Sequence, residues 1–492
     1  MEFDALERDA FRPRRLHPLT LVFEAIRVAR HLVLPAIAGA AGAANDGVAR
    51  TLAVGLGILA VPAIAAAIAR YVSFRYRLTD DDLILDSGVL ARRHRIIPLA
   101  RIQNVDVRQQ PLERIFGVAS LHIETAGGKK TEGVISVLGR ADADALRARL
   151  LASRDAAAGA ATPVETLARL STRELIVAGA TANEIGVVAA ALAGLMQFVE
   201  DRLVEYLPEA IDPAALPALP PALAIAAFVV AGAIAVLLVG WILSIVGSVV
   251  GYHGFTLERV GGELRKRYGL LARREGSVPL RRVQAVRIEE SLLRRPFELA
   301  AVRIETAGAT VPGQQRNPEA FVPLASREGA AQLVARLLDG FDPGCVALLP
   351  VHPRARRRIF VRLAVPIVLV AATLGPLHHP GWLTLLVLLA PAYALAGNAY
   401  ANRRYAVVDD YVVARDALLG RTTWVIPRRK IQTVHVASSP FQRRHGLATL
   451  VVDTASGPRG AAYIKDLPED VAFDLAQRLS RRVPERPPVP IP

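Results

Sequence analysis

Six basic residues recur at two fixed offsets along this chain. A guanidinium or ammonium held in a repeated place is a group that can meet phosphate. Counting from Pro98, Pro279 and Pro427, position +3 is Arg101, Arg282 and Lys430, and position +16 is Arg114, Arg295 and Arg443. Such residues would take an anionic headgroup or an acidic partner surface, and each juxtamembrane cation adds about 1 kcal/mol of attraction to an anionic leaflet. The competing reading is a solvated basic face with ordinary ion pairs to Glu124, Glu305 and Asp453. Two neutral polar residues recur beside the cations: Gln103, Gln284 and Gln432 at +5, and Thr125, Thr306 and Thr454 at +27. Period two in a strand sets each Gln on the inward face with Val105, Val286 or Val434, where an amide satisfies backbone groups. A ligand role is the alternative for both sets.

Other candidates for chemistry are isolated. Glu184 interrupts the apolar stretch 175–199. A carboxylate in a membrane span is costly and marks either a proton or cation site or a neutralised group, here protonated or paired with Arg27 or Arg30. His378 and His379 are adjacent at a turn, which is poor ligand spacing, and no carboxylate or thiol joins them. The single cysteine, Cys345, excludes an internal disulfide and Cys-rich zinc sites. No P-loop, Gly-x-Ser-x-Gly elbow, His-Glu-x-x-His or dinucleotide fingerprint occurs. The expectation is a protein without catalysis, cofactor or metal.

The elements that position these residues lie between membrane-length segments. Of 492 residues, 52% are hydrophobic and only 5% aromatic, the net charge is +15, and the mean hydropathy is +0.32. Apolar stretches near 20 residues read as spans. They fall at about 19–44 with 51–70, 175–199 with 222–250, and 360–376 with 381–399, which makes six helices in three hairpins. The N-terminal MEFDALERDAFRPRR lacks a signal-peptide pattern, so the first hairpin is expected to stay in place. Arg12, Arg14 and Arg15, then Arg70, Arg75 and Arg77, then RARRR at 354–358 with Arg403 and Arg404 flank one side of the hairpins, and the short turns carry little positive charge. The positive-inside rule then puts both termini and all three repeats on the cytoplasmic side of the membrane. Scarce aromatics in the basic stretches argue against nucleic acid. The bilayer, other proteins and self-association remain as partners.

Each hairpin is followed by one repeat, which gives a layout of seven segments. These are 1–72 (N-terminal segment and hairpin 1), 73–153 (repeat domain 1), 154–250 (linker and hairpin 2), 251–340 (domain 2), 341–400 (linker and hairpin 3), 401–484 (domain 3) and a disordered tail, 485–492. Within a repeat, short Val, Ile and Leu segments alternate with polar residues between Gly-rich turns, the pattern of antiparallel strands. ADADALRARLLA, EGAAQLVARLLD and PEDVAFDLAQRLSR close the repeats with helical spacing. The fold class is therefore membrane α-hairpins plus three small α+β domains, each a bent sheet closed by a C-terminal helix.

The segments Ile97–Val105, Val278–Val286 and Ile426–Val434, with ETAG, ETAG and DTAS later in each copy, resemble the bacterial pleckstrin-homology-like family of membrane-flanked domains, in its three-copy YdbS/YdbT-type form. The resemblance covers nearly the whole chain. It implies a seven-stranded, half-open barrel capped by a helix, in a multipass scaffold whose domains bind protein or lipid headgroups. A membrane transport or export component is the alternative. The second copy departs from the pattern, with Leu292 in place of Pro111 and Pro440 and RVGGELRKRYG in place of TDDDLILDSG.

Overall fold

The computed structural model describes residues 14–23, 65, 68–69, 71–88, 92–125, 133–155, 164–182, 221–307, 321–374, 382–408, 410–456 and 460–481. Glu184, His378, His379, most of the first hairpin and the 485–492 tail lie outside these residues.

Every repeat contributes seven strands. The first has β1 (Arg14–Arg15), β2 (Arg75–Leu78), β3 (Asp82–Ser87), β4 (Arg93–Pro98), β5 (Ile102–Gln109), β6 (Val118–Thr125) and β7 (Gly133–Gly139). The second has β8 (Val164–Arg169), β9 (Thr256–Val260), β10 (Glu263–Tyr268), β11 (Arg273–Pro279), β12 (Val283–Glu290), β13 (Leu299–Thr306) and β14 (Val322–Ser326). The third has β15 (Leu349–Pro350), β16 (Arg404–Val408), β17 (Tyr411–Ala417), β18 (Arg421–Pro427), β19 (Ile431–Ala437), β20 (Leu447–Thr454) and β21 (Ala462–Pro468). The second copy keeps its strand where RVGGELRKRYG departs in sequence, because Leu264 stays fully buried like Leu83 and Val412 at the same offset. Burial at alternate positions fixes a strand more firmly than the identity of the polar residues between.

The stretches 154–170 and 340–353, expected to be linkers, carry β8 and β15. The first strand of each repeat therefore precedes its hairpin. β1 pairs antiparallel with β2, and β15 with β16. Two-residue strands such as Arg14–Arg15 and Leu349–Pro350 carry no period-two signal, so the sequence pattern misses them.

The chain divides into two compact units, one of residues 1–165 and 258–278, the other of 166–257 and 279–492. In the first unit β1-β2-β3-β4 form one sheet, and a second runs β7-β6-β5-β11-β10, extended by β9 and β8. In the other, β14-β13-β12-β18-β17-β16-β15 form one sheet and β19-β20-β21 another. The described strands do not confirm the barrel closure implied by the resemblance. β4 and β5 lie in different sheets, and the fifth strand of one repeat pairs with the next repeat: β5 with β11, and β12 with β18.

The first repeat packs Leu83, Leu85 and Ile97 of one sheet against Val105, Val107, Leu121, Ile123 and Ile135 of the other. Helix α2 (Arg140–Asp155) closes this core with Ala143, Leu146 and Leu150, after the short helix α1 (Pro111–Ile115) that joins β5 to β6. The third repeat repeats the arrangement with Val412, Ala414 and Ile426 against Leu450, Val452 and Ile464, closed by Ala472 and Leu479.

Helix α3 (Thr172–Ala180) packs on α4 (Pro221–Tyr252), a helix of about 48 Å at 1.5 Å per residue. Trp241 Nε1 donates to the Ala180 carbonyl (3.0 Å), Ser244 Oγ to Gly179 (2.9 Å) and Ser248 Oγ to Leu175 (2.9 Å). A Cβ on Gly179 would come within 2.6 Å of the Ile245 Cα, so only glycine permits this approach. After α5 (Arg327–Leu337) the third hairpin is α6 (Arg354–Leu374) against α7 (Trp382–Leu386) and α8 (Leu389–Asn402). Six spans were expected. Two stretches among the described residues are long and apolar enough to cross a bilayer, Ile234–Tyr252 and Thr384–Asn402. Helix α6 fails that test because Arg354, Arg356, Arg357, Arg358 and Arg362 occupy its first turns. Leu237, Leu238, Trp241, Ile242 and Leu243 are all exposed on α4, a face that lipid would cover.

The β12–β18 seam is held by a buried charge. Glu290 is 3% exposed and accepts from Arg421 through both oxygens and from Arg327 Nε at 3.0 Å. Burial pushes its carboxyl up, but the two guanidiniums outweigh this and hold it below its ordinary value of 4.5. Arg421→Ala leaves a buried carboxylate with Arg327 alone and should cost about 3 kcal/mol, the low end for breaking a buried pair. A depressed carboxyl stabilises above its unfolded pKa. The difference between Arg421→Ala and the parent should therefore be full at neutral pH and vanish as pH falls through the folded value. Thermal unfolding of the detergent-solubilised chain across pH 3–7 reads both, and a loss below about 1 kcal/mol at neutral pH contradicts the assignment.

Candidate membrane-facing site

Strand direction sorts the recurring cations. β16 leaves the hairpin directly after α8, so the antiparallel order sets the β17–β18 turn and the β19–β20 connection at the hairpin end and the β18–β19 connection at the far end. One strand of seven residues separates the two ends, about 23 Å. Arg101, Arg282 and Lys430 close one-turn 3-10 helices at the far end. Arg114, Arg295 and Arg443 lie on the connection at the hairpin end. The six cations cannot converge on one ligand.

At the far end the cations have structural work. Arg282 donates to the Ala307 carbonyl at 2.9 Å, and Lys430 donates to the Arg281 carbonyl at 2.7 Å. Burial first, then Arg429, pushes the Lys430 amine down. Arg101 is exposed. Glu305, expected as an ion-pair partner, instead approaches Arg287 at 3.6 Å. Burial raises its pKa against the pull of Arg287 and Arg303.

The Gln and Thr sets do not behave alike. Gln284 is buried and donates to the Arg282 carbonyl at 3.2 Å, whereas Gln432 is exposed. A register shift at the same offset breaks period two in both strands, so the inward face expected for Gln432 is not reached, and no further strand covers it. The Gln103 side chain lies outside the described residues. Thr125 and Thr454 are buried and Thr306 is half-buried. Thr454 Oγ1 hydrogen-bonds Ser456 at 2.6 Å and donates to the Gly460 carbonyl at 3.2 Å.

The hairpin end gathers what the far end lacks, exposed apolar side chains beside cations. The connection after β5 presents Leu112, Ile115 (76% exposed) and Phe116; that after β12 presents Leu292, Leu293 and Phe297 (69%); that after β19 presents Phe441 (71%). The turns before β11 and β18 add Leu270, Leu271, Leu418 and Leu419. Pro111 and Pro440 start short helices with capping boxes from Gln110 and Ser439. Leu292 cannot preset the backbone in that way, and the second copy forms a turn and a 3-10 helix, Arg295–Phe297.

Side chains on this connection bind the hairpins directly. Arg294 is buried and donates to Thr181 Oγ1 at 3.1 Å and to the Ala178 carbonyl at 3.1 Å, while Ser291 Oγ donates to the Thr181 carbonyl at 3.0 Å. Burial lowers the Arg294 pKa. Arg295 donates to Asn398 Oδ1 at 3.3 Å on α8. Phe23 meets Phe116 edge-on, with centroids 6.0 Å apart. The offset of Arg294, +15, is Glu113 and Gln442 in the other copies, all buried. Three different polar types hide that position from any search for identity.

A second set of contacts clasps the start of the first and third hairpins. The His17 N–H donates to the Val137 carbonyl (3.0 Å), and the His352 N–H to the Asp466 carbonyl (3.2 Å). Val137 and Asp466 both sit at left-handed φ, 56° and 63°, which turns their carbonyls out of the strand. The Leu-His-Pro and Val-His-Pro tripeptides, 16–18 and 351–353, were the legible signal for this clasp. Asp466 is 1% exposed and also accepts from Arg403 (2.9 Å), Arg358 and Gln442 (3.1 Å). Arg403 and Asp466 stand where the first repeat has Phe74 and Val137. Among the described residues no three His, Cys, Asp or Glu side chains gather as a metal site requires.

Three repeats of a strand-rich domain, each tied to a helical hairpin, define a class: the chain belongs to the bacterial PH domain family, which matches residues 31–154, 215–340 and 361–483. It is a membrane protein of that family with an internal threefold repeat. It is similar to the UPF0699 transmembrane protein YdbT of Bacillus subtilis (strain 168), 25% identical over 496 residues, which cover 94% of this chain and 97% of that protein. It is also similar to the UPF0699 transmembrane protein YdbS of the same organism, 32% identical over 78 residues, 16% of this chain and 47% of that protein. No solved structure matches the chain.

The Asp466 clasp gives a test with a built-in rescue. Asp466→Val leaves Arg403 and Arg358 facing an apolar side chain and should cost about 3 kcal/mol. Adding Arg403→Phe installs the two residue types that the first repeat has at these offsets, Phe74 and Val137, and should recover at least half of it, since valine already occupies this left-handed position in the first repeat. Unfolding of the single and double variants measures the difference, and a double variant no better than the single contradicts the equivalence.

Proposed function

We infer that this protein is a non-catalytic membrane platform. Its three PH-like repeats sit on the cytoplasmic face with their hairpin ends against the lipid headgroups and offer their far ends to protein partners. The observation that carries this reading is the recurrence, in all three copies, of exposed Leu, Ile or Phe beside an arginine at +16, next to the hairpin helices. Apolar side chains of this size are stable at a membrane interface and costly in water. The arginines supply the attraction to anionic lipid, and their alkyl stems lie along the apolar surface. The charge flanking each hairpin supports the same arrangement, in which six spans form three hairpins and both termini lie on the cytoplasmic side. Of the far-end cations, Arg282 and Lys430 serve the fold of their connections, and with Arg101 they stand at the end away from the lipid contact.

Two sets of charge reversals separate the ends. In nanodiscs, the full chain should be more stable to heat with anionic than with zwitterionic lipid. Arg114→Glu with Arg295→Glu and Arg443→Glu should remove that difference, about 1 kcal/mol per arginine. Arg101→Glu with Arg282→Glu and Lys430→Glu should lower overall stability, because two of the three lose backbone contacts, yet leave the lipid dependence intact. The reading fails where the second set removes the lipid dependence and the first does not.

A further inference from the structure

The two seams inside the chain share one register. Counted from the repeat proline, β5 and β11 pair Gln109 (+11) with Arg273 (−6), and β12 and β18 pair Glu290 (+11) with Arg421 (−6). Each seam joins the strand that follows one repeat's proline to the strand that ends at the next repeat's proline. Among the described residues, two edges of these same kinds have no strand across them. β19 ends its sheet on one side, and β4 ends the sheet β1-β2-β3-β4.

Burial shows what a seam does to such an edge. Position −2 is Ser277 (2% exposed) in β11 and Val425 (fully buried) in β18, but Ile96 in β4 is 53% exposed. Position +7 is fully buried at Val105 and Val286, whereas Val434 on β19 is half-buried. Gln284 is buried and Gln432 exposed. An uncovered edge with an outward isoleucine is an invitation to strand addition.

We propose that β19 of one chain pairs with β4 of a second copy, continuing the internal seam head to tail. The second copy is the occupant that fits. The two free edges are of the two complementary kinds that the internal seams join, and both belong to this chain. The register follows from Val286 opposite Val425: Val434 faces Ile96, Val436 faces His94 and Ser438 faces Arg92. Every repeat added at such a seam keeps its hairpin at the same end of the strands, so the assembly grows in the plane of one membrane. The contact is heterologous, with different surfaces on the two copies, and so it extends or closes as a ring. This goes beyond the membrane-platform reading and stands without it.

Cross-linking in native membranes tests the register. With Cys345→Ser as background, Ile96→Cys in one tagged chain and Val434→Cys in a differently tagged chain are co-expressed and oxidised. A disulfide-linked dimer carrying both tags is expected. Glu289→Cys with Thr422→Cys in one chain, partners across the internal β12–β18 seam, is the positive control. Ile96→Lys, at a position already exposed in the single chain, should lower co-purification of the two tags at least tenfold. The proposal is overturned by an absent two-tag dimer when the control pair forms. It is equally overturned when a chain carrying both Ile96→Cys and Val434→Cys links only to itself.

Discussion

The constraint on which the rest depends is that each hairpin is clipped at its base by a strand pair. β1 enters the first hairpin and β2 leaves it, β15 enters the third and β16 leaves it, and each couple is hydrogen-bonded antiparallel. β8 and β9 stand next to each other in the same way around the second. A chain that must return to its own entry strand crosses the membrane an even number of times or not at all. The carbonyls of Val137 and Asp466, turned out by a left-handed residue, add a second tie at His17 and His352. Once the base is fixed, strand direction follows, and with it which connection lies beside the hairpin and which lies away from it.

That polarity explains why one repeat signature contains two kinds of arginine. At the far end, Arg282 and Lys430 donate to backbone carbonyls, so a retained cation there needs no external ligand. At the hairpin end the cations stand among exposed apolar side chains, where burial in protein cannot account for them. The charges that are buried have partners: Glu290 holds Arg421 across the β12–β18 seam, and Asp466 holds Arg403 and Arg358 beneath the third hairpin. The first repeat fills the place of Arg403 and Asp466 with Phe74 and Val137. An ion pair stands in the third repeat where the first has two apolar residues, an exchange compatible with desolvation and attraction nearly cancelling.

Much of this was legible in the residues. The gapless threefold alignment, the strand pattern, the closing helices and the family resemblance all follow from period and spacing. What was not legible has physical reasons. Two-residue clips such as Leu349–Pro350 carry no period. The exchange of β-edges between successive repeats depends on which edge finds a partner, and Val434 and Val286 look alike in sequence although one edge is covered and the other is open. Offset +15 was missed because Glu113, Arg294 and Gln442 differ in type while sharing burial. The pairing of Arg101 with Arg114 as one surface failed because a strand of about 23 Å separates them.

Cysteine accessibility in intact cells tests the common-side arrangement most directly. With Cys345→Ser as background, single cysteines are placed in the hairpin turns, at 46, 210 and 378, and in the repeats, at 130, 315 and 457. A membrane-impermeant maleimide added from outside should label the three turn positions and none of the three repeat positions until the membrane is opened. External labelling at 315 while 130 and 457 stay protected would contradict the account, because hairpins that return to their own entry strand keep all three repeats on one side.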